Sequence, residues 1–419
     1  MAGQAEYTLL ITTPDGSQEL CDPIEFGNPR TGESGWSEIR LGPRRNDPGT
    51  GTITCAARPD VLDAVNVPDA RVVARRETLT GDEPTIEMAG PIELPDGGYE
   101  ARRDGLDGWG TLAVTFVDDL VLLAERLIYP DPARSATNQT TATKYTITAQ
   151  GVEAAIRAVV NLNAGPGAHT SPDRRTPGLV LGPVNGILPG VTVSTSFTRD
   201  AVLSDAARTL AQLGAESAGI LPRVPRLRVL PVNGRLEFVV ELPPDLSDTI
   251  IFSRALGNVQ AMRYAPEAPR DTVAIVGDAT AGVGRIVKER TNTAAHAAGW
   301  RRREVWVDAR GAANATELEQ AGDLALTEGG PRTGFTLEPI ETPNCRYGYD
   351  YPIGALVSAE AYEGGPFIPA VVMGADIVVT GKGETVTPII GTEGDQITDR
   401  KAEEMRRLMR RMAQVEGAL

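Results

Sequence analysis

The residue types that most often carry chemistry are sparse in this chain of 419 residues, and they lie far apart. There are two histidines. His169 sits in a Gly/Pro-rich stretch and His296 in an Ala-rich polar one, each without a Cys, His or acidic pair at the spacing a metal needs. Cys21, Cys55 and Cys345 form no CxxC pattern, and three unmatched thiols point to synthesis in a reducing compartment with no disulfide framework. No G-x-S-x-G elbow is present to expose a nucleophilic serine. Gly282-Val283-Gly284-Arg285 lacks the third glycine and the following helix of a dinucleotide loop. Gly381-Lys382-Gly383 lacks the upstream half of a P-loop, so both read as turns. Asp118-Asp119 and Glu403-Glu404 are paired carboxylates, but acid/base pairs of glycoside hydrolysis face one another across a cleft. Neighbours in sequence are expected to be solvated instead. Asn138-Gln139-Thr140 and Asn314-Ala315-Thr316 fit the glycosylation pattern, with no secretion signal to give it meaning. The sequence therefore assigns no catalytic residue, no cofactor-binding residue and no metal ligand.

The clearest binding chemistry lies near the C-terminus. Asp399 to Gln414 places Ala402, Met405, Leu408, Met409 and Met412 on one helical face, with Arg400, Arg406, Arg407, Arg410 and Arg411 around the rest. Methionine gives adaptable contact surface and arginine favours acidic partners. A helix of about 16 residues is marginal alone and is ordered by what it packs on, its own domain or a partner. Met405, Arg406, Leu408, Met409, Arg410 and Met412 are the candidate partner-binding residues. The four tryptophans are expected mainly in the core. Trp300 and Trp306 bracket an Arg-Arg-Arg-Glu-Val run that reads as a barrel strand presenting arginine to a neighbouring subunit.

The elements that must position such surfaces are mostly short. Forty-five glycines and 31 prolines imply frequent turns and a β-rich architecture. The length predicts two to four domains. No apolar run is long enough to span a bilayer, and Met1 to Asp15 has no basic leader and reads as strand and turn. The formal net charge of −15 argues against a nucleic-acid-binding surface and suits a conduit through which DNA slides without sticking.

Strand patterns occupy Tyr7 to Thr13, Gly51 to Ala57, Ala70 to Thr78, Ile86 to Glu93 and Gly110 to Val117, with Pro95-Asp96-Gly97-Gly98 as a hairpin loop. Asp118 to Tyr129 holds a helical turn, and Asp131 to Thr143 reads as an exposed loop. Helices are expected over Gly151 to Asn163 and about Asp200 to Leu213, separated by a Pro/Gly-rich surface loop from Gly167 to Gly190. Asn233-Gly234 between two β-prone runs signals a hairpin. Strands resume from Thr249. One further helix is expected, with Thr316 and Glu319 as a capping box and Leu318, Ala321 and Leu324 as its apolar face. The reading is a β-rich α+β chain: a first β-barrel or sandwich with a hairpin extension (1–130), an α+β insertion domain (131–248), a second barrel (249–395) and a C-terminal amphipathic helix (396–419).

Several segments in series resemble one family. Ala74-Arg75-Arg76-Glu77, Trp109, Asp118-Asp119-Leu120, Arg126 and Tyr129-Pro130 resemble the N-terminal half of hub-like tail proteins of actinobacterial siphophages. Phe252-Ser253-Arg254, Leu256-Gly257-Asn258 and Tyr264 resemble the start of that family's second β unit. Gly299-Trp300, Arg303-Glu304, Val307-Asp308, Tyr347-Gly348-Tyr349-Asp350-Tyr351 and Gly354 continue the series. The similarity runs over roughly residues 5 to 365. Four lysines against many arginines and alanines fit the high-GC coding of actinobacteria or their phages.

The resemblance implies a fold similar to the baseplate hub of contractile-tailed phages, in which two related barrels per subunit form a trimeric, pseudo-sixfold ring. It implies no catalytic residue, cofactor or metal. The expected partners are two further copies in a homotrimer, the distal tail protein ring, and other tip proteins or the tape measure protein through the C-terminal helix. DNA passes as transient cargo, without membrane insertion. The expected location is the distal end of the virion tail, after synthesis in the host cytoplasm. Two other classes stay open, a receptor-binding tip module and a cell-wall hydrolase. The roughly 25 residues beyond the second barrel are too few for an appended hydrolase domain.

Overall fold

Period-two alternation governs the first third of the chain. The structure is a computed structural model and describes residues 7–27, 35–76, 85–93, 110–171, 173–278, 280, 284–309, 315–330 and 332–391. Strands β1 (Tyr7–Thr12), β2 (Trp36–Gly42) and β3 (Thr50–Ala56) precede helix α1 (Pro59–Val65), then β4 (Arg71–Arg76), β5 (Thr85–Glu93) and β6 (Thr111–Val117). In β6, Leu112, Val114 and Phe116 are buried while Ala113 faces out, as the alternation requires. Gly51 of β3 lies under the Phe116 ring, where a Cβ would come within 2.3 Å, so this cross-strand contact needs glycine. The short helix α2 (Val121–Ala124) follows β6.

The middle third switches to period 3.6. Strand β7 (Lys144–Gly151) leads into α3 (Val152–Asn163), then β8 (Leu179–Leu181), β9 (Thr192–Thr198), α4 (Leu203–Ser217), β10 (Arg226–Val232) and β11 (Arg235–Glu241). Val152, Ile156, Val159 and Val160 of α3 pack with Leu203, Ala206, Leu210 and Ala211 of α4 in one core that also takes Phe238 and Val240 of β11. The helices approach closely because α4 carries Gly214, whose Cβ would come within 2.5 Å of Val152. Asn233 and Gly234 hold φ of 52° and 69°, the two left-handed residues of a type I′ hairpin between β10 and β11.

The chain continues through β12 (Ile251–Phe252) and β13 (Val259–Glu267), then β14 (Val273–Gly277), β15 (Val287–Thr291), α5 (Thr293–Ala297), β16 (Glu304–Asp308), α6 (Ala315–Glu328) and β17 (Arg332–Pro339). Strands β18 (Leu356–Glu360), β19 (Phe367–Thr380) and β20 (Gly383–Gly391) close the series. The described residues divide into two compact units, one of residues up to 261 with 338–391, the other of 262–337.

In the first unit the main sheet runs β1-β4-β5-β6-β3-β2-β19-β20. Residues 24–27 hydrogen-bond to both ends of the β1-to-β2 run. Leu9 and Ile24 exchange N–H···O bonds of 3.2 and 2.8 Å, Gly27 N–H donates to Trp36 O at 2.9 Å, and Trp36 N–H donates to Glu25 O at 2.9 Å. Strand β19 is 14 residues long: its first part pairs with β18, its last four residues pair with β2, and it pairs with β20 from Val371 to Thr380. A bulge at Val372/Gly374 lets residues 43–45 cross it, with Arg45 N–H on Met373 O and Ala375 N–H on Pro43 O. A Cβ at Gly374 would come within 2.5 Å of Pro43 O.

The second unit is a three-stranded sheet, β15-β14-β16, with α6 on one face. Its separation differs from the continuous 249–395 barrel expected from sequence, where strands on either side of 262–337 read alike. The Arg-Arg-Arg-Glu-Val run accordingly lies in this small sheet and not in a barrel strand. Trp300 and Trp306 are 39% and 50% exposed, against the expected core placement, whereas Trp36 is core. Residues 167–190 contain β8, which pairs in parallel with β11; three residues between prolines and glycines carry too little period to be recognised. Thr316 lies inside α6 and so cannot cap it, and Leu324 is exposed while Leu326 takes the core position. The 95–98 loop and the C-terminal segment from residue 396 lie outside the described residues.

Candidate functional site

One constellation of polar groups in the first unit starts from an opposed pair, Tyr7 on β1 and Arg76 on β4. The Tyr7 hydroxyl donates to Glu384 Oε1 of β20 at 2.7 Å, and Arg76 Nη2 pairs with the same carboxylate at 2.8 Å. Arg76 Nη1 also lies 3.4 Å from Tyr347 O, and its guanidinium stacks 5.1 Å from the Tyr349 ring centroid. Tyr347 donates its hydroxyl to Glu87 Oε1 of β5 at 2.9 Å. Burial, reinforced by Glu384 and Glu87 at Tyr7 and by Glu87 at Tyr347, keeps both phenols well above their ordinary range, so they act as hydrogen-bond donors. Burial alone would lower Arg76, but Tyr7, Glu384 and Glu87 more than offset it. This network ties β1, β4, β5, β20 and the 341–351 segment together.

A second cluster joins β5 and β10. Arg44, Glu87, Met88, Asp118, Arg226 and Arg228 line a small cleft. Burial raises Asp118 to about 6 against the opposing pull of the Leu120 N–H, Arg226 and Arg228. Burial and the neighbouring Arg228 lower Arg226 to about 10. Arg228 reaches Ile86 O at 3.5 Å and Glu241 at 3.9 Å. Close by, Arg71 and Asp119 form an ion pair at 1% and 0% side-chain exposure. Asp119 is thus core, not the solvated surface carboxylate its acidic neighbour led the sequence reading to expect; Asp118 keeps partial exposure.

These clusters hold charges of both signs in fixed contact, with no nucleophile–base pair between them. Among the described residues no group of three or more His, Cys, Asp or Glu is placed to hold a metal. His169 accepts the Ser171 N–H on Nδ1 at 3.0 Å, and His296 lies in the last turn of α5. Cys55 is pushed up to about 12 by burial and Cys345 to about 11. Met405, Arg406, Leu408, Met409, Arg410 and Met412 lie outside the described residues. Sequence reasoning missed Arg71, Tyr7, Glu87 and Glu384 because each partner is distant along the chain. Arg76 figured in the sequence only within the segments that resemble the family, and Asp119 there and as half of an adjacent carboxylate pair. Among the described residues no helix is long and apolar enough to cross a membrane.

The fold has known counterparts among phage tail proteins. It is similar to the 43 kDa tail protein of prophage MuSo2 from Shewanella oneidensis, with a TM-score of 0.52 at 13% identity, over 92% of this chain and 98% of that one. A tail protein from Neisseria meningitidis aligns over 92% of this chain and 96% of its own, at 13% identity and a TM-score of 0.47. No curated protein matches the sequence. The class defined is therefore a β-rich fold shared with a phage tail protein. Within it, the chain belongs to the family of Siphovirus ReqiPepy6 Gp37-like proteins, which it matches over residues 30–392.

Proposed function

We propose that this chain is a structural hub subunit of a siphophage tail tip, three copies of which form a pseudo-sixfold ring around the DNA channel and join the tail tube to the host-binding tip. The observation that carries the reading is the double attachment of residues 24–27 to β1 and β2, which returns the six-strand run β1-β4-β5-β6-β3-β2 to its own beginning. A sheet closed in this way is a barrel without free edges, a unit suited to ring building. Strand β19 then passes from that barrel to β18 and β20, which form a second β assembly. The α+β segment of residues 131–248 is the insertion that hangs from the ring and meets other tip proteins.

Charge supports the channel. Residues 262–337 hold ten acidic and ten basic side chains and residues 392–419 hold six of each, so the whole net charge of −15 belongs to the first unit. An acidic ring wall repels phosphate and keeps passing DNA mobile. The protein does structural work at the distal tail end of a phage of an actinobacterial host and transforms no substrate.

The test is the mass of the purified chain in solution, together with its position on virions by labelled antibody. Three times the 44.4 kDa chain, found at the distal end of the tail tube, is the expected result. A stable monomer located on a peripheral fibre would overturn the reading.

A further inference from the structure

Among the described residues, α6 covers one face of the second unit's sheet. Register places Ala274, Val276, Val305, Val307, Lys288 and Arg290 on the face under α6. There Leu318 and Leu326 pack on Ala274 and Val276, Lys288 pairs with Glu319 at 3.4 Å, and Arg290 pairs with Asp323 at 2.7 Å. The opposite face carries Thr291, Val273 and Glu304 in one row, with Val273 buried, then Glu289, Ile275 and Trp306, then Val287, Gly277 and Asp308. Trp306 is 50% exposed and Val287 49%.

The exposed end of this face, at Trp306 and Val287, is held in shape. Arg285 stacks 4.9 Å from the Trp306 ring centroid and pairs with Asp308 at 2.7 Å. Gly277 leaves room for the indole, since a Cβ there would fall 2.6 Å from Trp306 Cζ2. Arg302 contacts Glu304 at 2.6 Å and Glu289 at 2.9 Å, from the two strands that flank β14. An immobilised tryptophan with two oriented arginines is the chemistry of an interface anchor. The unit also has reason to be covered. Among the described residues its core cluster has four buried side chains, which is thin for a unit of this size, and a second apolar layer would complete it.

We propose that the segment Asp399–Gln414 of the same chain covers this face as a helix, setting Ala402, Met405, Leu408, Met409 and Met412 against Ile275, Val287 and Trp306. The occupant is argued from complementarity. The segment has six basic and three acidic residues, whereas the face presents Glu289, Glu304 and Asp308 against Arg285 and Arg302. Sixteen helical residues span about 24 Å, enough to cross a sheet whose strands are about 17 Å long. Methionine side chains mould around an aromatic ring and make sulfur–ring contacts. A helix this short gains its order from the surface beneath it. The inference does not depend on the hub reading.

The test uses the full chain with Cys21→Ser, Val287→Cys and Met409→Cys, Cys55 and Cys345 being buried. A short bis-maleimide is applied at low protein concentration, and the products are read by mass. An intrachain link between positions 287 and 409 is expected. A link between two chains would assign the face to a neighbouring copy and overturn the proposal, as would no link at all. A second readout is acrylamide quenching of Trp306 with Trp36, Trp109 and Trp300 replaced by phenylalanine. Ending the chain after Gly391 should raise the quenching constant about twofold, because it uncovers a large aromatic surface; an unchanged constant would also overturn the proposal.

Discussion

Removing the carboxylate of Asp119 should be among the most damaging single changes in the first unit. The pair it forms with Arg71 is fully buried, and no other described group hydrogen-bonds to either Asp119 oxygen. Asp119→Ala therefore leaves a guanidinium in the core without an acceptor, a loss of about 3–5 kcal/mol. Arg71→Met should cost about as much, because it strands the carboxylate. The double variant Arg71→Met/Asp119→Leu removes both charges and their desolvation, and should return to within about 1–2 kcal/mol of the parent. The assay is urea unfolding followed by Trp36, which is buried in the same unit, with Trp109, Trp300 and Trp306 replaced by phenylalanine. With a slope near the upper end of the usual range, about 3 kcal/mol/M, each single change should lower the midpoint by about 1–1.7 M. Two results would refute the reasoning: a shift below about 0.3 M for Asp119→Ala, or a double variant no better than the worse single one.

Further perturbations separate the other contributions. Asp118 titrates near 6 in the folded protein against an ordinary 3.8, so the native state binds its proton more tightly than the unfolded chain does. Stability from this group is greatest below the ordinary value, falls as pH rises towards 6 and is flat above. The step is smaller than about 3 kcal/mol because the side chain keeps some solvent contact. Asp118→Asn should remove that slope from a plot of unfolding midpoint against pH between 4 and 7. Tyr7→Phe deletes the 2.7 Å bond to Glu384 and should cost about 1–2 kcal/mol, read as an unfolding-midpoint shift. Gly90→Ala puts a Cβ within 1.6 Å of Val117 O and should abolish soluble folded protein or lower its melting temperature steeply, as measured by circular dichroism. In the native state Cys21 should react with a thiol reagent before Cys55 and Cys345, both of which are buried; equal rates for all three would argue against the packing described.

Local rules made much of the architecture legible before any coordinates. Helices α3 and α4 followed from the spacing of Val152, Ile156, Val159 and Val160 and of Leu203, Ala206 and Leu210, since 3.6-residue periodicity is a property of the chain itself. The β10–β11 hairpin followed from Asn233-Gly234, which accept the positive φ that a two-residue turn imposes. Strands β1 and β3 to β6 were visible as β-prone runs between turn residues. Strand β2 was not, because Ser37, Glu38 and Arg40 interrupt its apolar residues. The absence of a recognisable catalytic motif was equally a sequence-level observation, and the family match is consistent with the ordered segments quoted above.

Pairing is where the sequence by itself stopped. It determined which residues prefer strand or helix, where the chain turns, and that its chemistry-bearing side chains are few and scattered. Only the tertiary structure decided that β19 joins β2 to β18 and β20, that residues 24–27 bond to both β1 and β2, and that residues 262–337 separate as a unit. It also decided that Asp119 is a core ion pair with Arg71, and that Tyr7 meets Glu384 from 377 residues away. The physical reason is the range of the forces concerned. Propensity and turn geometry act within a few residues, whereas burial of a charge and closure of a sheet depend on partners that only the folded chain brings together.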